Sequence, residues 1–221
     1  MSASDNPEPA TLAARVAAQG IESLRPRLLA AAPALPRVPA RGRGDADPDH
    51  WPSPANRLAP AAVLLPIIAT GSEPTVLFTR RTPHLARHAG QVSFPGGRAH
   101  AEDTDLVETA LRETREETGI AKDFVSVAGF LDALETGTGF AIVPVVGMLR
   151  EGFVLKPDPG EVAEIFEVPL AFLLDPANLR RESGEWRGRK RSFWSYRYGE
   201  HYIWGATASI LVNFTERLGA P

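Results

Sequence analysis

The chain has 221 residues, 43% hydrophobic and 23% charged, close to ordinary globular usage. Against a soft prior of ~150 residues per domain, this predicts one compact domain with an appendage and excludes a disordered chain or a coiled-coil rod. A formal net charge of −3 with a pI of about 6.0 excludes a polycationic nucleic-acid or membrane binder, and zero cysteines exclude a disulfide framework, a thiolate metal site and a cysteine nucleophile.

Ten of the twenty prolines fall within the first sixty residues, which divides the chain into an extension, residues 1–58, and a patterned domain, residues 59–221. Residues 1–10 read as disordered; Asp5 and Glu8 without Lys or Arg make the wrong start for a secretory signal. Thr11 to Ala32 predicts an amphipathic helix or two short ones, with Leu12, Val16, Leu24 and Leu28 apolar and Gly20 and Pro26 as breaks. Pro33 to Ala59 reads as a tether, so the chain lacking residues 1–55 is expected to fold. A mitochondrial presequence stays open for this Arg- and Ala-rich segment. No apolar run approaches the ~20 residues of a membrane span, so no membrane partner and a cytoplasmic location are expected.

From Ala61 the pattern sharpens. Ala61–Thr70 and Thr75–Arg81 predict strands joined across Gly71-Ser72-Glu73-Pro74. Asp103–Thr118 predicts a helix, with Asp103, Thr104 and Asp105 as capping residues and Gly119 as its stop. Phe124–Leu131, Phe140–Leu149 and Val162–Val168 predict further strands, and Pro169–Leu174 a helical turn. Arg189–Tyr198 and Tyr202–Trp204 predict a hairpin, and Gly205–Leu218 a closing helix. Hairpins outnumber crossover units, so the expected fold class is α+β or a mixed sheet in an α/β/α layering.

The chemistry concentrates in Phe94-Pro95-Gly96-Gly97 and Ala110-Leu111-Arg112-Glu113-Thr114-Arg115-Glu116-Glu117-Thr118-Gly119-Ile120. On a helix, Glu113, Glu116 and Glu117 stand at i, i+3 and i+4, so carboxylates crowd one face near the C-terminal end, where the helix dipole also disfavours anions. A cation resolves that conflict, and carboxylate oxygens suit Mg2+ or Mn2+. The Gly-Gly turn lets main chain approach the cation or a phosphate. Glu108, Arg112 and Glu116 at i, i+4 and i+8 would equally suit a solvated, salt-bridged face. Six fixed identities arise by chance at only ~10⁻⁵ over a chain of this length, which favours the cation site.

At these residues Gly97 to Ile120 resembles the Nudix box, a glycine followed by Arg-Glu-x-x-Glu-Glu-x-Gly at the helix end. The glycine-to-arginine spacing is one residue longer than usual, and the acidic residue midway is Asp103; both point to the coenzyme A pyrophosphatase branch. Thr79-Arg80-Arg81, the run His88 to Gly97, Gly139-Phe140, Pro144 to Gly147, Glu161 to Phe166, Val168-Pro169-Leu170 and Ile203-Trp204-Gly205 extend the likeness over residues 60–214. Ala86 stands where the branch carries arginine, Thr82 where it carries serine or alanine, and His100 at a usually acidic position.

The resemblance implies a mixed sheet sandwiched by helices around a metal-binding loop-helix-loop, and attack by water on a pyrophosphate. It implies Glu113 and Glu117 as metal ligands, Glu116 sharing a second metal, the carbonyl of Gly96 or Gly97 as a further ligand, and Arg112 orienting Glu113. The general base is either Glu113 through metal-bound water or an outside carboxylate, Glu161 or Glu164. Arg80 and Arg81 alternate faces of a strand, so one of them is expected to meet substrate beside Gly96; His84, Arg87 and His88 are further basic candidates. The expected partner is a coenzyme A-like nucleotide. ADP-ribose, dinucleotides, nucleoside triphosphates and a non-catalytic nucleotide- or RNA-binding module stay open. Nucleic acid is not the expected partner, although seven basic side chains interleave with aromatics over residues 180–197, where a solvated hairpin is expected.

Overall fold

The computed structural model describes residues 9–35, 58–69, 73–85, 88–186 and 189–219. Residues 1–8 of the expected disordered start, most of the tether, the tip of the first hairpin, Ala86 and Arg87 lie outside them, whereas Pro9 and Ala10, expected to be disordered, open a helix. Helix α1, Pro9–Gln19, is followed by two short 3-10 turns, Gly20–Ser23 and Arg25–Arg27. Then come β1 (Ala59–Ile68), β2 (Thr75–Arg81), β3 (Val92–Ser93), β4 (Gly96–Arg98), α2 (Leu106–Thr118), β5 (Val125–Phe130), β6 (Leu134–Glu135) and β7 (Phe140–Leu149). The chain ends with β8 (Val162–Pro169), α3 (Leu170–Leu174), β9 (Arg180–Trp186), β10 (Arg189–Tyr198), β11 (His201–Trp204) and α4 (Gly205–Leu218).

Strand β1 organises the mixed main sheet. One edge runs parallel to β7 from Ala59↔Phe140 to Ile68↔Leu149; the other pairs antiparallel with β4 at residues 61–63 and with β2 at 67–68. Pro66 falls between those two partners, where its missing N–H costs no ladder bond. Side chains alternate across β1: Ala62 and Leu64 pack with Ala110 of α2, while Leu65 and Ile67 join a larger core with α3, α4, Tyr196 and Ile203. The expected α/β/α sandwich is formed, and among the described residues no helix is long and apolar enough to cross a membrane.

Three features depart from the sequence expectations. The Gly-Gly segment is a strand, β4, rather than a turn, because β1 offers it an open edge. Arg180–Trp186 adds a third strand to the expected late hairpin. The N-terminal helix belongs to the core: Leu12, Val16, Leu24 and Leu28 are buried, and Leu29 bridges to Phe130. Its apolar stripe is long enough to need a partner, and α3 supplies one.

Candidate active site

Helix α2 is set by its ends. The Asp105 carboxylate accepts the Glu108 N–H at 2.8 Å, and Gly119, at φ 82°, supplies the left-handed stop. The helix therefore starts three residues later than Asp103, and that residue takes another task. It receives a fork from Arg112: Nε to Oδ1 at 2.8 Å and Nη2 to Oδ2 at 3.0 Å. Nη2 also donates to the Arg98 carbonyl at 3.1 Å, and Nη1 donates to Glu113 at 2.8 Å and Glu116 at 3.1 Å. Arg112 thus locks the loop before α2 to two of the helix carboxylates. Its hydrogen bonds hold the Asp103 carboxyl well below the usual carboxylate range.

The three glutamates are unequal. Glu117 is buried; its Oε2 accepts the Gly96 N–H at 3.3 Å, and Arg81 Nη1 stands 3.6 Å from Oε1. Burial pushes its carboxyl up to about 8, outweighing Arg81 and the Gly96 N–H. Burial also raises Glu113, against the Arg112 hydrogen bond. Glu116 is 58% exposed. Glu113 lies flat over Gly97, where any Cβ would come within 2.5 Å of its carboxylate.

The β4–β1 ladder decides what each glycine offers. Leu64 N–H bonds to the Pro95 carbonyl and Ala99 N–H to the Pro60 carbonyl, so the alternation turns Gly97 towards β1 and Gly96 away from it. Gly97, expected to offer its carbonyl to a metal, thus faces its own sheet, and Gly96 faces Glu117.

The flanking candidates separate as well. Arg81 reaches Glu117 and, at 3.4 Å, Glu161, which joins the helix carboxylates. Arg80 turns to the other face, 2.7 Å from Glu164, which also faces His201 at 3.8 Å. Glu164, Glu200 and His201 hold ligand atoms within 4.8 Å of one another, but the Arg80 guanidinium already supplies positive charge there, and His201 stacks flat on Phe166. Glu164 is therefore not beside Glu117. His84 is exposed, and His88 holds Gln91 at 2.8 Å. On the outer sheet Arg197 covers Tyr202 and Ser195 donates to Glu182, so those groups bind one another.

Sequence reasoning missed Asp103 as the partner of Arg112, although it stood in the predicted cap; nine residues of separation hid the pairing. It also missed the turn at Asp158, whose N–H donates to the Glu117 carbonyl at 3.1 Å, a contact with no local signal.

Burial raises both Glu113 and Glu117 despite Arg112 and Arg81, and both stand beside the Gly96-Gly97 segment; a divalent cation fits that donor set. The profile of the NUDIX domain matches residues 57–190. The Nudix hydrolase NudL of Photorhabdus laumondii is 42% identical over 171 residues, covering 76% of this chain and 91% of the relative. NudL of Pectobacterium atrosepticum is 42% identical over 163 residues, covering 72% and 82%. Among solved structures, a MutT protein from Methanosarcina mazei is 25% identical with a TM-score of 0.43, covering 54% of this chain and 83% of its own. A domain profile spanning more than half of the sequence, and relatives matched over most of their length, make this chain a member of the Nudix hydrolase family.

Proposed function

We propose that the protein hydrolyses the pyrophosphate bond of coenzyme A or its thioesters, releasing adenosine 3′,5′-bisphosphate and 4′-phosphopantetheine, with Mg2+ or Mn2+ bound by Glu113 and Glu117. The observation that carries the reaction is Glu117: a buried carboxylate raised to about 8, offset among the described residues by the Arg81 guanidinium at 3.6 Å and the Gly96 N–H. Glu116 and the Gly96 carbonyl complete the donor set. A bound divalent cation supplies charge neutralisation for the phosphates and an acidic water. Arg112 fixes Glu113 through its fork to Asp103. Arg81 presents cationic N–H groups to a substrate phosphate, and Glu161, the outside carboxylate on the same face, adds its charge to the metal site and accepts the proton of the attacking water. The substrate is argued from Thr79-Arg80-Arg81 and His88 to Gly97 together with Glu161 to Phe166 and Val168-Pro169-Leu170, which resemble the coenzyme A branch rather than the family at large.

A product assay tests this. Purified protein is incubated with coenzyme A, ADP-ribose, NADH or a nucleoside triphosphate, with Mg2+, Mn2+ or EDTA, and products are identified by mass spectrometry. The expected outcome is metal-dependent release of adenosine 3′,5′-bisphosphate, faster from coenzyme A than any other cleavage. Faster cleavage of another substrate would overturn the substrate and keep the reaction. No cleavage by folded, metal-loaded protein would point to a binding module.

A further inference from the structure

Thr82 follows β2 directly and is buried. Its N–H donates to the Glu161 carbonyl at 2.9 Å, and its hydroxyl donates to the Gly160 carbonyl at 3.2 Å. The other side of that turn is held by Asp158. The Asp158 carbonyl accepts the N–H groups of Glu161 at 3.1 Å and Val162 at 2.8 Å, and its carboxylate accepts the Gly160 N–H at 2.9 Å. The turn is therefore tied at one end to β2 and at the other, through the Asp158 N–H on Glu117, to the end of α2.

The β2–β8 ladder is irregular at the same place. Arg80 pairs with Glu164 and Arg81 with Val162, so Ala163 is an extra residue on β8, a bulge of the kind that re-aims side chains beside active sites. Opposite Val162, Arg81 reaches both Glu161 and Glu117. Glu161 and Gly160 are otherwise exposed, so nothing in the core would fix this carboxylate. A hydroxyl serving only its own burial would need one acceptor anywhere. This one instead closes on the carbonyl next to the carbonyl that its own N–H already holds.

We propose that Thr82 is a positioning residue for Glu161: its amide and hydroxyl clamp the Gly160–Glu161 turn so that the Arg81-bridged carboxylate stands beside Glu117. The proposal rests on the role assigned to Glu161, whose charge acts on Glu113 and Glu117 in any case. Serine, which keeps the hydroxyl, preserves the clamp; valine keeps the shape and the amide bond to Glu161 but loses the hydroxyl bond to Gly160.

The test is a cycle of Thr82→Val, Glu161→Gln and the double variant, with Thr82→Ser as rescue. Mn2+ affinity is read without substrate from the electron paramagnetic resonance of the free ion, at fixed neutral pH, with thermal melting alongside. Thr82→Val and Glu161→Gln are each expected to weaken Mn2+ binding by about tenfold. The double variant should be no weaker than Glu161→Gln, and Thr82→Ser should match the parent within about twofold. If Glu161→Gln weakens binding while Thr82→Val does not, or adds to it in full, the clamp is overturned and Glu161 keeps its role. If Glu161→Gln leaves Mn2+ affinity unchanged, Glu161 does not bear on the metal, and the clamp as a device for placing it beside Glu117 is overturned.

Discussion

Glu117 is held by two opposed demands, burial under the sheet and the need of a carboxylate for positive charge. Its pKa is raised in the fold to about 8 from an ordinary value of 4.5, so the folded protein binds that proton more readily than the unfolded chain. The stability this confers is complete below the ordinary value and is lost as pH rises through about 8. In EDTA, melting is therefore expected to weaken across that window by on the order of a few kcal/mol, and Mn2+ should restore it at the alkaline end. Glu117→Gln should melt with much less pH dependence, keep the fold, and cut turnover by roughly 10²-fold or more. A variant retaining near-full activity would remove Glu117 from the metal set. Spacing alone showed that Glu113, Glu116 and Glu117 share a face. It did not show that Glu117 is buried and Glu116 exposed, because that depends on which edge of the stripe meets the sheet.

At the scale of the element, α2 works through its attachments. Its N-terminal loop is closed by the Arg112 fork on Asp103, and its C-terminal carbonyls are capped by the N–H groups of Lys156 and Asp158. Arg112→Lys keeps the charge and loses the planar fork. It is expected to lower stability by about 2 kcal/mol in a denaturant titration, and to weaken Mn2+ binding because Glu113 loses its fixed partner. Unchanged stability would mean that the loop is held by other contacts. The helix was legible because its signals are local, a cap, a period and a glycine stop. Strand β4 was not, because two glycines and an arginine become a strand only when β1 presents an open edge to them.

Across the whole molecule, the larger core joins α1, α3, α4 and one face of both sheets. Leu12, Val16, Leu24 and Leu28 each bury most of their side chains in or against it, and Arg27 donates to the Leu218 carbonyl at the end of α4. At ~1.5–3 kcal/mol per buried aliphatic side chain, the N-terminal segment contributes as much as a typical domain's net stability. Deleting residues 1–30 is therefore expected to lower the melting temperature by more than about 10 °C or to abolish cooperative melting. This revises the expectation that the chain lacking residues 1–55 folds unaided. A truncated protein melting like the parent would show that the α1 contacts add little.

Local order and chemistry were written in the sequence: the 3.6-residue period of Glu113 to Glu117, the cap and stop of α2, the alternating strands and the proline-rich start. Those features depend on neighbours a few residues apart, and backbone geometry fixes them wherever the segment lies. Contacts between distant segments were decided by the tertiary structure alone: Asp103 with Arg112, Arg81 rather than Arg80 towards Glu117, Glu161 rather than Glu164 beside it, and α1 inside the core. A strand's alternation says that two arginines face opposite ways, but only the packing of α2 against one face says which of them meets the carboxylates.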